Sequence, residues 1–213
     1  MAEFDTFIPG ARDFLARLRA ENTRDWFTAH KAEYDATIKD PAERLLAEMA
    51  PRLAAITGAE VKQKLFRPQR DIRFSKDKTP YKDHCHVLWH APAGSSVGYF
   101  FGVSPDYLRI GAGVMEFSKG TLDAWRAMVA GPDGAALLAE LAALEAEGFD
   151  VSEPQMKRVP APYDKDDPAE ALLRRKSLTV WADATEPVAD LPGLLEARFT
   201  RFAPLCAMLA RVA

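Results

Sequence analysis

The stretch VGYFFGVSPDYLRIGAGV, residues 97–114, limits the possible folds more than any other part of the chain. Two apolar runs are separated only by Ser104, Pro105 and Asp106, a turn composition in a hairpin setting. A link this short joins antiparallel strands, because a parallel crossover takes roughly a dozen residues or more. Just upstream, HCHVLWHAP alternates polar and apolar residues, and residues 70–75 do the same. The middle third is therefore expected to form an antiparallel sheet.

Helical periodicity flanks it on both sides. In the first third, FLARL places Phe14, Leu15 and Leu18 on one face. Asn22 is the expected N-cap of a second helix, in which Trp26, His30 and Tyr34 share a face at i, i+4 and i+8. Such an aromatic stripe is expected in the core rather than along a ligand groove. A third helix is expected to begin at the capping sequence DPAE, Asp40 to Glu43, with Leu46, Met49, Leu53 and Ile56 buried and Gly58 as its stop.

In the last third, LDAWRAMVA and AALLAELAALEAEG read as helices separated by the breaker GPDG. A second DPAE is expected to open a helix closing on Arg174, Arg175 and Lys176, cations that complement a helix C-terminus. The strand LTVWA follows, then a C-terminal helix with Leu195, Phe199, Phe202, Cys206 and Leu209 inward. The expected class is α+β: an antiparallel β-sheet from the middle of the chain, covered by N-terminal and C-terminal helices. No stretch reads as a linker, so residues 1–213 are expected to form a single domain.

With 48% hydrophobic and 28% charged residues, the chain can bury a substantial core. Its net charge of −3 argues against a general nucleic-acid or membrane coat. No apolar run approaches the ~18 residues of a membrane span, and MAEFDTFIPG lacks the pattern of a signal peptide. The two cysteines, Cys85 and Cys206, form no CxxC pair, so a reducing cytoplasm is the expected compartment.

The charge is unevenly spread. Residues 62–82 hold eight basic side chains against Asp71 and Asp77, a local balance of +6 that leaves −9 for the rest. If residues 70–75 form a strand, Ile72 and Phe74 face the core while Asp71, Arg73 and Ser75 face outward. Arg70, at the start of the apolar face, can reach out to solvent. The cations Arg70, Arg73, Lys76, Lys78 and Lys82 then converge on one strand face and the loop leaving it, an arrangement suited to gripping a dianion. Asp71 is the first candidate for orienting an arginine or moving a proton. The competing reading is a solvated charged edge that guards a strand against aggregation.

RDIRFSKDKTPYK resembles the signature of a mainly bacterial family catalogued as domain of unknown function (DUF) 2461, the conserved hypothetical family 02453. NTRDWFTAHKAEY resembles that family's Trp-Phe helix start, LRIGAGVMEF its Gly-rich strand end, and PYDKDDPAEALLRRKSL its late Tyr-Asp-His-Pro segment, where Asp167 stands in place of the usual His. The resemblance runs over nearly the whole chain. It implies one domain and marks Arg70, Asp71, Arg73, Phe74, Ser75, Lys76, Asp77, Lys78, Pro80, Tyr81 and Lys82 as family-typical. It brings neither an activity nor a cofactor.

Other motifs are weaker. On a strand, HCHVLWH puts His84, His86 and His90 on one face with Leu88. His86 and His90 lie roughly 13 Å apart at strand rise, too far to share an ion, so no metal site is expected. Arg109 alternates with Tyr107 and either joins the basic cluster or forms a cross-strand ion pair. No phosphate-loop or nucleophile-elbow motif occurs.

Three readings follow. The first is a site for an anionic, phosphorylated or nucleotide-like small molecule, with or without catalysis. The second is a non-enzymatic module docking an acidic partner or nucleic-acid backbone through the same patch. The third is structural, with Arg–Asp pairs tying elements together. A ligand site should be concave and bounded by aromatics, whereas a docking patch should be flat and exposed. Cofactor and oligomeric state are not legible in the residues.

Overall fold

A computed structural model describes residues 4–213. Its centre is a six-stranded sheet in the order β1-β2-β3-β4-β6-β5. The strands are β1 (Lys62–Leu65), β2 (Cys85–His90), β3 (Val97–Val103), β4 (Leu108–Val114), β5 (Asp150–Val151) and β6 (Leu178–Asp183). Every neighbouring pair is antiparallel. The β3–β4 hairpin forms where the turn composition puts it, and Ser104 Oγ accepts from the backbone N–H groups of Asp106 and Tyr107.

One face of the sheet carries Val87, Trp89, Tyr99, Phe101, Ile110, Ala112 and Val180, all buried. Helices from both ends of the chain cover it: α1 (Phe7–Ala20), α4 (Asp40–Thr57) and α8 (Leu191–Leu209). Phe199 of α8 meets Trp89 and Tyr99 edge-on, with ring centroids 5.6 and 5.2 Å apart. Trp89 Nε1 donates to Leu46 O of α4 at 3.0 Å, so its one polar atom is satisfied inside the core. Between β4 and β6 the chain forms α5 (Lys119–Val129), α6 (Asp133–Ala146) and the short α7 (Glu170–Leu173). Trp125 of α5 is fully buried there and donates to Leu172 O. The α+β class, the antiparallel sheet and the flanking helices agree with the sequence patterns, and no single helix among the described residues is long and apolar enough to cross a membrane.

Residues 70–75 do not form the expected strand. They lie in the long β1–β2 connection, where Phe74 is 96% exposed rather than facing the core and Ile72 is only part-buried. Two apolar residues among charges bury too little to hold a strand, and Asp71 instead accepts the backbone N–H of Arg73 in a local turn. The true edge strand is KQKL, whose lysines suit an exposed edge.

α4 begins at the first DPAE with Pro41 in its first turn, but no side chain caps it. The chain is already helical through α3 (Lys31–Tyr34) and a π-turn at Asp35–Lys39, closed by Asp40 N–H bonding Asp35 O. Pro41, which lacks an N–H, is absorbed next to this irregularity. Thr23, not Asn22, caps α2 (Arg24–Ala29), and the helix breaks at His30, so Trp26, His30 and Tyr34 do not share one continuous helix face. Tyr34 is in the core, while Trp26 and His30 stack on each other, part-exposed, 4.0 Å apart. The second DPAE leads only to the one-turn α7, and Arg175 beyond it is buried, reaching Ser152 O.

Candidate functional site

Strand register builds a second, open face on the opposite side of the sheet. Lys64, Leu88, Phe100, Gly111 and Trp181 fall opposite one another across β1, β2, β3, β4 and β6. The next row toward the β1–β2 connection contains His86, Gly102, Arg109 and Asp183, and Phe66 N–H bonds His86 O just beyond β1. Of these, Lys64, Phe66, His86, Leu88, Phe100 and Trp181 line a groove of about 760 Å³, together with Tyr107, Arg109 and Glu116. The period-two reading of HCHVLWH holds, since His86, Leu88 and His90 all line this groove.

Glycine lets the rings lie low on the face. A Cβ at Gly111 would meet Trp181 Cε3 at 2.3 Å, and one at Gly102 would meet His86 Cδ2 at 2.7 Å. The indole and the imidazole therefore rest against backbone, where any larger residue would displace them. Phe100 and Trp181 lie 5.6 Å apart at 38°, forming one aromatic wall. Phe66 stands edge-on to His86 at 6.3 Å on the other side. His86 Nε2 and the Tyr107 hydroxyl share a 2.7 Å hydrogen bond, and the His84 ring stacks on His86 at 4.1 Å.

The β1–β2 connection rises from one end of this groove. Its base is a backbone ladder: Arg70 N–H to Pro80 O and Lys82 N–H to Pro68 O, both 2.8 Å, around a Gln69–Tyr81 bridge. Asn22 bonds both the N–H and the C=O of Tyr81, and Phe27 stacks on the Tyr81 ring at 4.0 Å. Arg19 fastens Asp83 to Asp106 in the β3–β4 turn.

The expected site cations divide into two sets. Arg70 is engaged by Asp77 and Thr79, and Arg73 by Asp71. Lys78 Nζ donates to Ile72 O, and exposed Lys76 extends the loop's positive surface. Arg73, Lys76 and Lys78 belong to the exposed loop tip, Arg70 is part-buried at the loop's base, and Asp71 is occupied by Arg73. Lys82 is different: it lies over the groove residue Phe66, 5.8 Å from the ring centroid, and donates to Arg67 O.

Lys64, missed in the sequence, sits 4.5 Å from the same ring. Among the described residues, neither lysine nor Arg67 has a carboxylate partner within ion-pair distance. Burial, with repulsion from Arg67 and Lys64, holds the Lys82 ammonium below its usual range. Burial and the neighbouring His84 and Lys82 pull His86 down to about 4, so its imidazole is neutral near pH 7. Arg109 forms the cross-strand pair, bonding Asp183 and Asp150.

A family model described as a conserved hypothetical protein (DUF2461) matches residues 10–208. The chain belongs to the DUF2461 family. The match takes in the whole sheet, the β1–β2 connection and both groove walls, so the DUF2461 unit and the candidate site coincide. No curated protein matches the chain. Lys64, Phe66, Phe100 and Trp181 escaped the sequence reading because each is an ordinary strand residue alone. The alternation Lys62, Lys64, Phe66 was the available signal for the first two.

Proposed function

We propose that this protein binds an anionic, phosphorylated small molecule at the foot of the β1–β2 connection. The observation that carries the reading is the pair Lys64 and Lys82, neither with a carboxylate partner within ion-pair distance, over the Phe66 ring at the edge of a concave, aromatic-walled groove, with Arg67 beside them. Cations crowded together without counterions repel one another, and an anion relieves that repulsion. Arg70, Arg73, Lys76 and Lys78 supply the surrounding positive field, with the two arginines already paired inside the loop. A concave site bounded by aromatics favours a small ligand over a flat docking patch.

A thermal-shift series with inorganic phosphate, pyrophosphate and phosphorylated metabolites tests this. At least one anion is expected to raise the melting temperature of the wild type in a dose-dependent way. Lys82→Ala and Lys64→Ala should abolish that shift, and Arg73→Ala should retain most of it. Absence of a shift with every anion would overturn the reading, as would an equal shift in Lys82→Ala. The second reading, a non-enzymatic docking module, draws on Phe74, which stands fully exposed on the basic loop tip. On that reading Phe74→Ala, and not Lys82→Ala, would weaken recovery of an acidic partner protein.

A further inference from the structure

The two ends of the groove have opposite character, and together they describe a ligand. Along the row from Lys64 to Trp181 the chain crosses from β1 to β6 in four strand steps. At 4.7–4.9 Å per step that is about 19 Å between backbones, and about 10 Å from β1 to Phe100 on β3. The β1 end is cationic: Lys64 and Lys82 both lie over the Phe66 ring without a carboxylate partner within ion-pair distance, and Arg67 is close by. The far end is aromatic: Trp181 rests on Gly111, with Phe100 alongside and the Arg109 guanidinium 5.8 Å from the indole centroid. Arg109 adds no free charge there, because Asp150 and Asp183 hold it.

An inorganic anion would leave the aromatic end unused, and a purely apolar ring would leave the cations unneutralised. We propose that the ligand is a mononucleotide. Its base stacks against Phe100 and Trp181, and its phosphates reach Lys64, Arg67 and Lys82. The roughly 10–19 Å between the two ends suits a nucleoside di- or triphosphate. His86 and Tyr107, in the middle of the groove, offer polar atoms at the level of the sugar. A single strand of nucleic acid carries the same groups, but its further phosphates would run out over a chain that totals −9 outside residues 62–82, against like charge. The inference rests on the anion-site reading above.

Isothermal titration of the full chain separates the two claims, using ATP, CTP, adenosine, inorganic triphosphate and a ten-residue oligothymidylate. ATP or CTP is expected to bind about tenfold or more tightly than inorganic triphosphate, the margin that base–aromatic stacking supplies. Trp181→Ala should erase that margin while leaving triphosphate affinity unchanged. Trp181→Phe should retain most of it and guards against loss through misfolding. Equal affinity for nucleotides and triphosphate would overturn the nucleotide inference and leave the anion site standing. Binding of adenosine without triphosphate would overturn the anion site, and tighter binding of the oligonucleotide than of either nucleotide would replace the mononucleotide with a strand. No binding of any probe would overturn both.

Discussion

His86 is held neutral by its surroundings, and this ties folding stability to pH. Its ring lies on Gly102 beside His84, Lys82 and the Tyr107 hydroxyl, with its pKa down at about 4 against 6.5 for the free side chain. Between those values the unfolded chain binds the extra proton and the folded chain does not. The contribution is therefore complete above about pH 6.5 and is lost as pH falls toward 4, on the order of 2–3 kcal/mol. Urea unfolding of wild type and His86→Phe at pH 7 and pH 4.5 checks this. The wild type is expected to lose more stability than the variant on acidification. Identical losses would mean that the groove does not hold His86 neutral. His84, lowered in the same sense by burial, remains in the variant, so the difference reports His86 together with its interaction with the stacked His84.

At the scale of elements, the β1–β2 connection marks the limit of what the sequence made legible. Strands packed on the core announce themselves, β2 by alternation and β3 by an apolar run, because the core demands it. Residues 70–75 alternate just as well, yet their partners are Asp71, Asp77 and Thr79 within the same loop, and no periodicity distinguishes those from a core. Edge strand β1 hid for the opposite reason, since KQKL has a single apolar residue. The charged motif located the neighbourhood of the candidate site but not its groove, because register across five strands, not any local string, brings Lys64 into line with Trp181.

What holds the connection in place also lies outside it. Asn22 acts toward Tyr81 like a neighbouring strand, accepting one backbone bond and donating another. Asn22→Ala leaves both Tyr81 backbone groups without those partners. The expected cost is about 2 kcal/mol in urea unfolding, together with faster amide exchange across residues 67–83. A cost below about 0.5 kcal/mol would mean that water replaces both bonds.

At the scale of the molecule, the helices of the two termini and the sheet between them share one core rather than meeting across a boundary. Phe199, near the C-terminus, touches Trp89 and Tyr99 of the sheet, and Trp89 is tied to α4 through Leu46 O. Phe149, next to β5, packs on Phe202 one turn further along α8, with ring centroids 5.1 Å apart. α8 therefore links the N-terminal helices, the sheet and the α5–α7 region, and the chain is expected to unfold as one cooperative unit. Fluorescence and far-ultraviolet circular dichroism should give coincident transitions. Phe199→Ala should move both together by about 3–5 kcal/mol, the usual cost of emptying a large aromatic site in a core. Two separated transitions, with only one shifted by Phe199→Ala, would instead divide the chain, and the break would fall where α8 fails to bind the region between β4 and β6. The groove faces away from α8, so a Phe199→Ala protein still folded at low temperature should keep the ligand affinity of the wild type. That result would place the binding energy on the open face of the sheet and the folding energy on the covered one.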